Sequence, residues 1–126
     1  RSMARFGLLI LNQGKWGEEV IIEKEGYFED MTNTSQDINL SYGYLWWLNG
    51  KSSYKTPIVQ NTFSGILTPN APDDMYSALG KNGQFLCIVP SQNLIVIRMG
   101  NNPDQSLVPI NFLNQLWEKI NAVITP

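Results

Sequence analysis

The strongest constraint on the fold is a pair of β-prone runs in the second half of the chain. Residues 84–89 (QFLCIV) and 94–99 (LIVIRM) are rich in β-branched and other apolar side chains. Only four turn-prone residues, 90–93 (PSQN), separate them. Two such runs with a short connection predict an antiparallel hairpin. The sequence therefore predicts a fold built on an antiparallel sheet.

Apolar helical patterns lie near both ends of the chain. Residues 3–13 (MARFGLLILNQ) are apolar almost all round, which predicts a helix covered on both sides, with Gly14 as its C-cap. Near the other end, Ser106 is the predicted N-cap of a long amphipathic helix that has Pro109 in its first turn. The apolar stripe of this helix should lie across the sheet and consists of Ile110, Leu113, Trp117, Ile120 and Ile124.

The middle of the chain is aromatic and then irregular. Residues 23–32 predict a second short helix, interrupted by Gly26, and residues 42–49 (YGYLWWLN) predict a strand. Residues 50–75 predict a long irregular excursion, and loops of that length are often functional. In strand geometry one face of residues 42–49 would carry Tyr42, Tyr44, Trp46 and Leu48.

The order of these elements predicts an α+β fold. An antiparallel sheet would be packed against the N- and C-terminal helices, covered on one face, with at least one strand edge unpaired. Residues 1–126 match the usual size of a single domain.

Composition excludes several classes of site. The chain has no histidine and a single cysteine, which rules out a histidine triad, a histidine metal site and an internal disulfide. The net charge of −2, from 9 basic and 11 acidic residues, does not indicate binding to nucleic acid or to an anionic membrane. No cofactor, no metal and no membrane span are expected.

Two short motifs imitate parts of a serine hydrolase site. A lysine one helical turn after a serine can take the serine's proton, and Ser52–Lys55 has that spacing. Because it lies in a polar loop after Asn49-Gly50, a chance match is the better interpretation. Ser91-Gln92-Asn93 is similar to a Ser-x-Asn relay, but turn chemistry explains it better.

The segment Gly80-Lys81-Asn82-Gly83-Gln84 has two interpretations. Glycines just before a strand let the backbone approach a ligand, and such N–H groups could form half of an oxyanion hole. A β-bulge or tight turn entering the strand explains the same spacing, and it is favoured on spacing alone. Tyr44 or Trp46 could similarly wall a pocket, although strands bury aromatic side chains routinely.

Three segments together resemble the C-terminal part of the serine β-lactamase and penicillin-binding-protein-like superfamily, with the class C-like esterases and amide hydrolases as the nearest subgroup. Their order and spacing over nearly the whole chain carry the resemblance. The segments are residues 3–16 (MARFGLLILNQGKW), 42–47 (YGYLWW) and 78–84 (ALGKNGQ).

The resemblance implies acyl transfer by a helix-borne Ser-x-x-Lys nucleophile, with a third motif on a sheet strand. Ala78-Leu79-Gly80 takes the place of that motif, and the backbone N–H of Lys81 would be the oxyanion donor. In an alternative register Lys81-Asn82-Gly83 is the motif itself and the lysine ammonium faces the substrate. The substrate-binding residues implied are Ala78, Leu79, Asn82, Gly83, Tyr44 and Trp46.

The chain departs from the family pattern at the nucleophile. No credible Ser-x-x-Lys helix or Tyr-x-Asn loop is present, and the preferred register has no cationic residue in the third motif. We therefore expect the C-terminal portion of a larger hydrolase of small esters or amides, inactive without its N-terminal portion. The resemblance would place it in the periplasm or cell envelope. The alternative is a non-catalytic assembly module that dimerises through an open sheet edge.

Overall fold

An antiparallel sheet lies at the centre of the computed structural model, which describes residues 1–124. In chain order the α-helices and strands are α1 (Ser2–Leu11), β1 (Lys15–Trp16), β2 (Glu19–Val20), α2 (Glu29–Met31), β3 (Trp47–Leu48), β4 (Ser53–Tyr54), β5 (Phe63–Ser64), β6 (Tyr76–Gly80), β7 (Gln84–Val89), β8 (Leu94–Arg98) and α3 (Ile110–Ile124). The central sheet has the strand order β3-β6-β7-β8, and two pairs of two-residue strands, β1-β2 and β4-β5, lie outside it.

The predicted hairpin is confirmed. Strands β7 and β8 pair in antiparallel register from Phe85 opposite Arg98 to Val89 opposite Leu94. Residues 90–93 connect them, and Asn93 takes the left-handed conformation that closes the turn. The α+β class is confirmed as well, since helices pack on an antiparallel sheet.

Helices cover both faces of the sheet, so the prediction of one covered face is wrong. Side chains alternate between the two faces along a strand, and β7 is apolar at every position from Phe85 to Val89. Leu86 and Ile88 pack with Ile10 of α1 in one cluster. Phe85, Cys87 and Val89 belong to a second cluster on the α3 side. The unbroken apolar run in β7 was the sequence signal for two covered faces.

The α3 side of the sheet is closed by two fully buried helix residues, Leu113 and Trp117. They are the central members of the predicted stripe, which is therefore confirmed there. The helix begins at Ile110, later than predicted, and Ser106 is not its cap because it lies four residues before the first helical residue.

Helix α1 ends one residue earlier than the predicted cap implied. Gln13 takes the left-handed conformation and donates to Ile10 O, while Gly14 N donates to Leu9 O. These two bonds form a Schellman motif with Gln13, rather than Gly14, at its left-handed position. Only Gly7 and Ile10 of α1 are buried, so the prediction that both sides of this helix are covered is wrong.

The prediction of a single strand over residues 42–49 is wrong. The chain folds back on itself there, because Leu45 has a φ of +66° and Gly43 N donates to Trp46 O at 2.8 Å. Tyr42 forms a bridge with Trp47, and only β3 joins the sheet. The four residues predicted to share a face therefore do not, since Tyr44 is exposed while Trp46 and Leu48 are buried.

Residues 50–75 are irregular as predicted, apart from the short β4-β5 pair. The buried amide of Asn49 holds the end of this excursion. Its Nδ2 donates to the carbonyls of Thr68 and Pro72 at 3.0 Å, and its Oδ1 accepts from Thr68 N at 2.9 Å. Residues 23–32 contain the short turn α2, preceded by Gly26 at a φ of +85°.

Candidate functional site

The outer edge of β6 is open along its second half. Strand β3 pairs only with Tyr76 and Ser77, and the chain before β3 turns away at Leu45. Asn49 N donates to Met75 O, so the odd-numbered residues of β6 direct their backbone groups toward β3. By this alternation the N–H and C=O of Leu79 point outward where no described strand pairs with them.

The residues predicted to form the third motif lie at the end of this open edge. Ala78, Leu79 and Gly80 are the last residues of β6, and Gly80 pairs with Gln84 across the connection to β7. Lys81 follows in the same alternation as Leu79, so its N–H is directed to the open side, and its side chain is exposed. The segment is thus a tight hairpin connection, and it also presents the predicted donor at the open edge.

Gly83 lies on the other side of the connection. It is buried at a φ of +73°, and its carbonyl accepts a 2.7 Å hydrogen bond from Arg98 Nη1. Arg98 also donates to Asn101 O and lies over the ring of Phe112 at 4.9 Å. Asn82 is exposed with a φ of +62°. The part that Arg98 plays in holding this connection could not be predicted from the sequence, because it depends on contacts with residues distant in sequence.

A groove of about 260 Å³ lies beside the open edge. Gly80 and Gln84 line the groove at the hairpin end, and Leu45 lines it from the turn before β3. The full lining consists of Met3, Leu45, Ala78, Leu79, Gly80, Gln84, Phe85, Leu86 and Met99. A larger cavity of about 460 Å³ lies between the β4-β5 pair and the start of α3, and it contains no predicted site residue.

The two aromatic residues predicted to bind substrate lie away from this groove. Trp46 is buried, with its ring edge-to-face against Tyr76 at 5.4 Å. Tyr44 is exposed and stacks on Tyr27 at 6.2 Å. Between them in sequence, Leu45 lines the groove instead. Sequence analysis missed Leu45, because its position depends on the turn that replaces the predicted strand.

The two short segments that match hydrolase motifs, Ser52–Lys55 and Ser91–Asn93, do not have catalytic geometry. Ser52 and Lys55 flank β4, where three residues span about 10 Å and an odd spacing puts the side chains on opposite faces. The Ser91 hydroxyl donates to Asp74 Oδ1 at 2.9 Å, and its backbone N–H donates to Asp74 Oδ2 at 2.7 Å. Ser91 therefore anchors the β7-β8 connection to the loop before β6.

The titratable groups with clearly shifted pKa values lie in the core. Burial raises the pKa of the Cys87 thiol from its ordinary value of 9.0 to about 11, with the nearby Ser77 and Trp117 opposing that shift. Neither neighbour reaches the sulfur with good hydrogen-bond geometry, so burial dominates. Burial, and then the charge of Asp74, raise the pKa of Tyr76 to about 12. Both groups are protonated at neutral pH and lie apart from the groove.

Within residues 1–124 no group of three or more acidic or cysteine side chains is placed to hold a metal ion. In the same part of the chain, no helix has the length and apolar character needed to cross a membrane.

Comparison with known proteins identifies no family for this chain: no protein-family model and no curated protein sequence matches it.

Proposed function

We propose that this chain is the C-terminal portion of a serine hydrolase, similar to the class C-like esterases and amide hydrolases, that cleaves small esters or amides. The observation that supports the proposal is that the second half of the β6 edge is open and lies beside a groove. Leu79 and Lys81 direct backbone groups to that side, where an extended acyl substrate can align antiparallel to the strand.

Lys81 N–H is the proposed oxyanion donor. A backbone donor aimed at the developing alkoxide is worth about 3 to 4 kcal/mol of transition-state stabilisation. Leu79 lies two residues earlier on the same edge, so its carbonyl can accept an amide N–H of the substrate. Gly80, between them, lines the groove without a side chain.

The burial of Gly83 favours the register in which Lys81 supplies its backbone N–H. If Lys81-Asn82-Gly83 were the motif, Gly83 would have to face the substrate. Its carbonyl is instead held by Arg98, and Pro103 Cδ lies about 3.0 Å from the position of a Cβ on Gly83.

The nucleophile of the proposed reaction lies upstream of this chain. A serine oxygen there would attack the substrate carbonyl, forming an acyl–serine bond and releasing the alcohol or amine with the serine proton. Water would then cleave the acyl–serine bond to give the carboxylic acid. Ser52 cannot take this role, because Lys55 lies across the extended segment from it.

The upstream portion would also complete the sheet. In β8 the alternation of backbone groups turns those of Ile95 and Ile97 away from β7, so they are available to one further antiparallel strand. That strand would join the two portions of the hydrolase.

A serine-reactive acylating probe tests this function. We expect no labelling of this chain alone, at Ser52 or elsewhere, and labelling of an upstream serine when the chain is expressed together with its upstream coding sequence. Peptide mass spectrometry locates the label. Replacing the upstream serine by alanine is the matched control. Labelling of the isolated chain, or none in the longer protein, would overturn the proposal.

A second candidate function is assembly of two copies through β8. What favours it is an edge strand, LIVIR, with four apolar residues and neither proline nor bulge, since such edges pair readily. Sedimentation of the isolated chain over a hundredfold range of concentration separates the two. A concentration-dependent dimer with no serine labelling in the longer protein supports assembly, and a strict monomer rules it out.

A further inference from the structure

The groove beside β6 has a chemistry that narrows the substrate class of the proposed hydrolase. This inference rests on the proposed function for its biological meaning, but the binding it describes stands on the groove alone. The lining combines the end of the sheet with three residues from separate segments: Met3 at the start of α1, Leu45 in the turn before β3, and Met99 after β8.

None of the described residues that line the groove has a charged side chain. Its single polar side chain, Gln84, is already occupied, because Nε2 donates to Gly100 O at 2.6 Å and Oε1 accepts from Gly100 N at 3.2 Å. Arg98, the nearest strand arginine, is held by Gly83 O and Asn101 O. A carboxylate placed in the groove would lose hydration without gaining a counter-charge, which is unfavourable.

The rim of the groove is apolar, exposed and adaptable. Met3 is 39% exposed and Met99 52%, and the unbranched thioether side chain of methionine adjusts to ligands of irregular shape. Leu45 is 77% exposed at a positive φ, a conformation that costs about 1–3 kcal/mol for a non-glycine residue. The turn therefore places an exposed apolar side chain at the groove, and an apolar ligand that covers Leu45 would remove that side chain from water.

We propose that the groove binds the linear aliphatic chain of an uncharged ester or amide, with the carbonyl end at the open edge of β6 and the hydrocarbon between Met3, Leu45 and Met99. Each added methylene that enters the groove leaves water. Affinity should therefore rise about two- to fourfold per methylene until the groove is filled. A terminal carboxylate should weaken binding at least tenfold.

The four methionines of the chain make this binding directly observable. In a chain labelled with ¹³C at the methionine methyl groups, Met3 and Met99 report on the groove. Met31 and Met75 are 2% exposed and report on the core. On titration with acetamide, butanamide and hexanamide at millimolar concentration we expect the Met3 and Met99 signals to shift saturably, most tightly for hexanamide. The Met31 and Met75 signals should remain in place.

A charged ligand and two lysine variants complete the test. Adipamate, in which a carboxylate replaces the terminal methyl group of hexanamide, should bind at least tenfold more weakly than hexanamide. Leu45→Lys should raise adipamate affinity at least threefold by supplying the missing positive charge. Val123→Lys is the matched control, because Val123 is 79% exposed on α3, and it should leave both affinities unchanged.

Equal affinity for hexanamide and adipamate, no dependence on chain length, or shifts of all four methionine signals would overturn the inference. Because the titration involves no bond cleavage, its outcome is independent of the serine-labelling experiment. Specific binding without labelling of the longer protein would leave the groove assignment standing and remove the hydrolase function.

Discussion

At the scale of single residues, burial of the Cys87 thiol makes the free energy of unfolding depend on pH. Cys87 is fully buried between β6, β8 and α3, and burial raises its pKa from 9.0 to about 11. Below pH 9 the thiol is protonated in both the folded and the unfolded chain. Between about pH 9 and 11 the unfolded chain loses the proton while the folded chain keeps it, so the free energy of unfolding falls.

We therefore predict that the free energy of unfolding decreases by about 2–3 kcal/mol between pH 9 and 11 through this thiol, at ~1.4 kcal/mol per pKa unit. Urea denaturation at a series of pH values measures it. In Cys87→Ala the overall stability should be lower, because a buried atom is lost, but the decline above pH 9 should be shallower by that amount. Parallel pH profiles for the two proteins would contradict the assignment. Tyr76 adds a further decline toward pH 12, common to both.

At the scale of elements, the β6-β7 connection is held by contacts that glycine alone permits. A Cβ on Gly83 would lie 2.7 Å from Arg98 Nη1 and 3.0 Å from Pro103 Cδ, at a φ of +73°. Gly17, in the β1-β2 connection, has a φ of +60°, but a Cβ there would meet no atom within 4 Å. Alanine substitutions at Gly17 and Gly83 therefore separate two contributions to the loss of stability, the strained backbone conformation and the steric crowding of the added Cβ.

Gly17→Ala should lower the free energy of unfolding by about 1 kcal/mol, the cost of a left-handed conformation for a residue with a Cβ. Gly83→Ala should lower it by about 3 kcal/mol, because the guanidinium of Arg98 must also leave its carbonyl partners. Urea denaturation midpoints give both values. Equal losses in the two variants would mean that Arg98 does not hold the connection.

Local sequence patterns predicted the elements whose contacts are close in the chain. The β7-β8 hairpin and the centre of α3 follow from residues within a few positions of each other. The turn at Leu45 could not be predicted in this way, since aromatic residues on both sides favour a strand and the fold-back involves contacts with residues farther away along the chain. Gly43, for example, has room for no Cβ, because Met31 O lies where one would be.

The residues of the candidate site also differ in whether local sequence patterns could predict them. Ala78, Leu79, Gly80 and Lys81 lie at the strand end where the sequence put the third motif. The other groove residues come from segments distant in sequence, so no spacing could reveal them. Leu45 in particular replaces its neighbours Tyr44 and Trp46 at the groove because the chain reverses there.

At the scale of the whole molecule, the two edges of the sheet differ. On one side, the folded-back Tyr42 pairs with β3, while the second half of the β6 edge stays open. On the other side β8 is the last strand of the four. The bond from Asn49 N to Met75 O sets the alternation through the sheet, so Val96 faces β7 while Ile95 and Ile97 face outward.

This alternation predicts a specific pattern of amide exchange along β8. In the isolated chain at low concentration, the amides of Ile95 and Ile97 should exchange with solvent on the order of a hundredfold or more faster than that of Val96. Amide-resolved hydrogen exchange by NMR measures the three rates within one strand, so Val96 is an internal control for global unfolding. Equal rates at the three positions would contradict the derived register.

The same measurement identifies what completes the sheet. A second copy would protect Ile95 and Ile97 progressively as the concentration of the isolated chain rises, because self-association follows mass action. An upstream strand would protect them at every concentration, but only in the longer protein. Since both partners would bind the same two residues, the longer protein decides between them. Protection there that is independent of concentration assigns the β8 edge to an upstream strand, and protection that rises with concentration assigns it to a second copy.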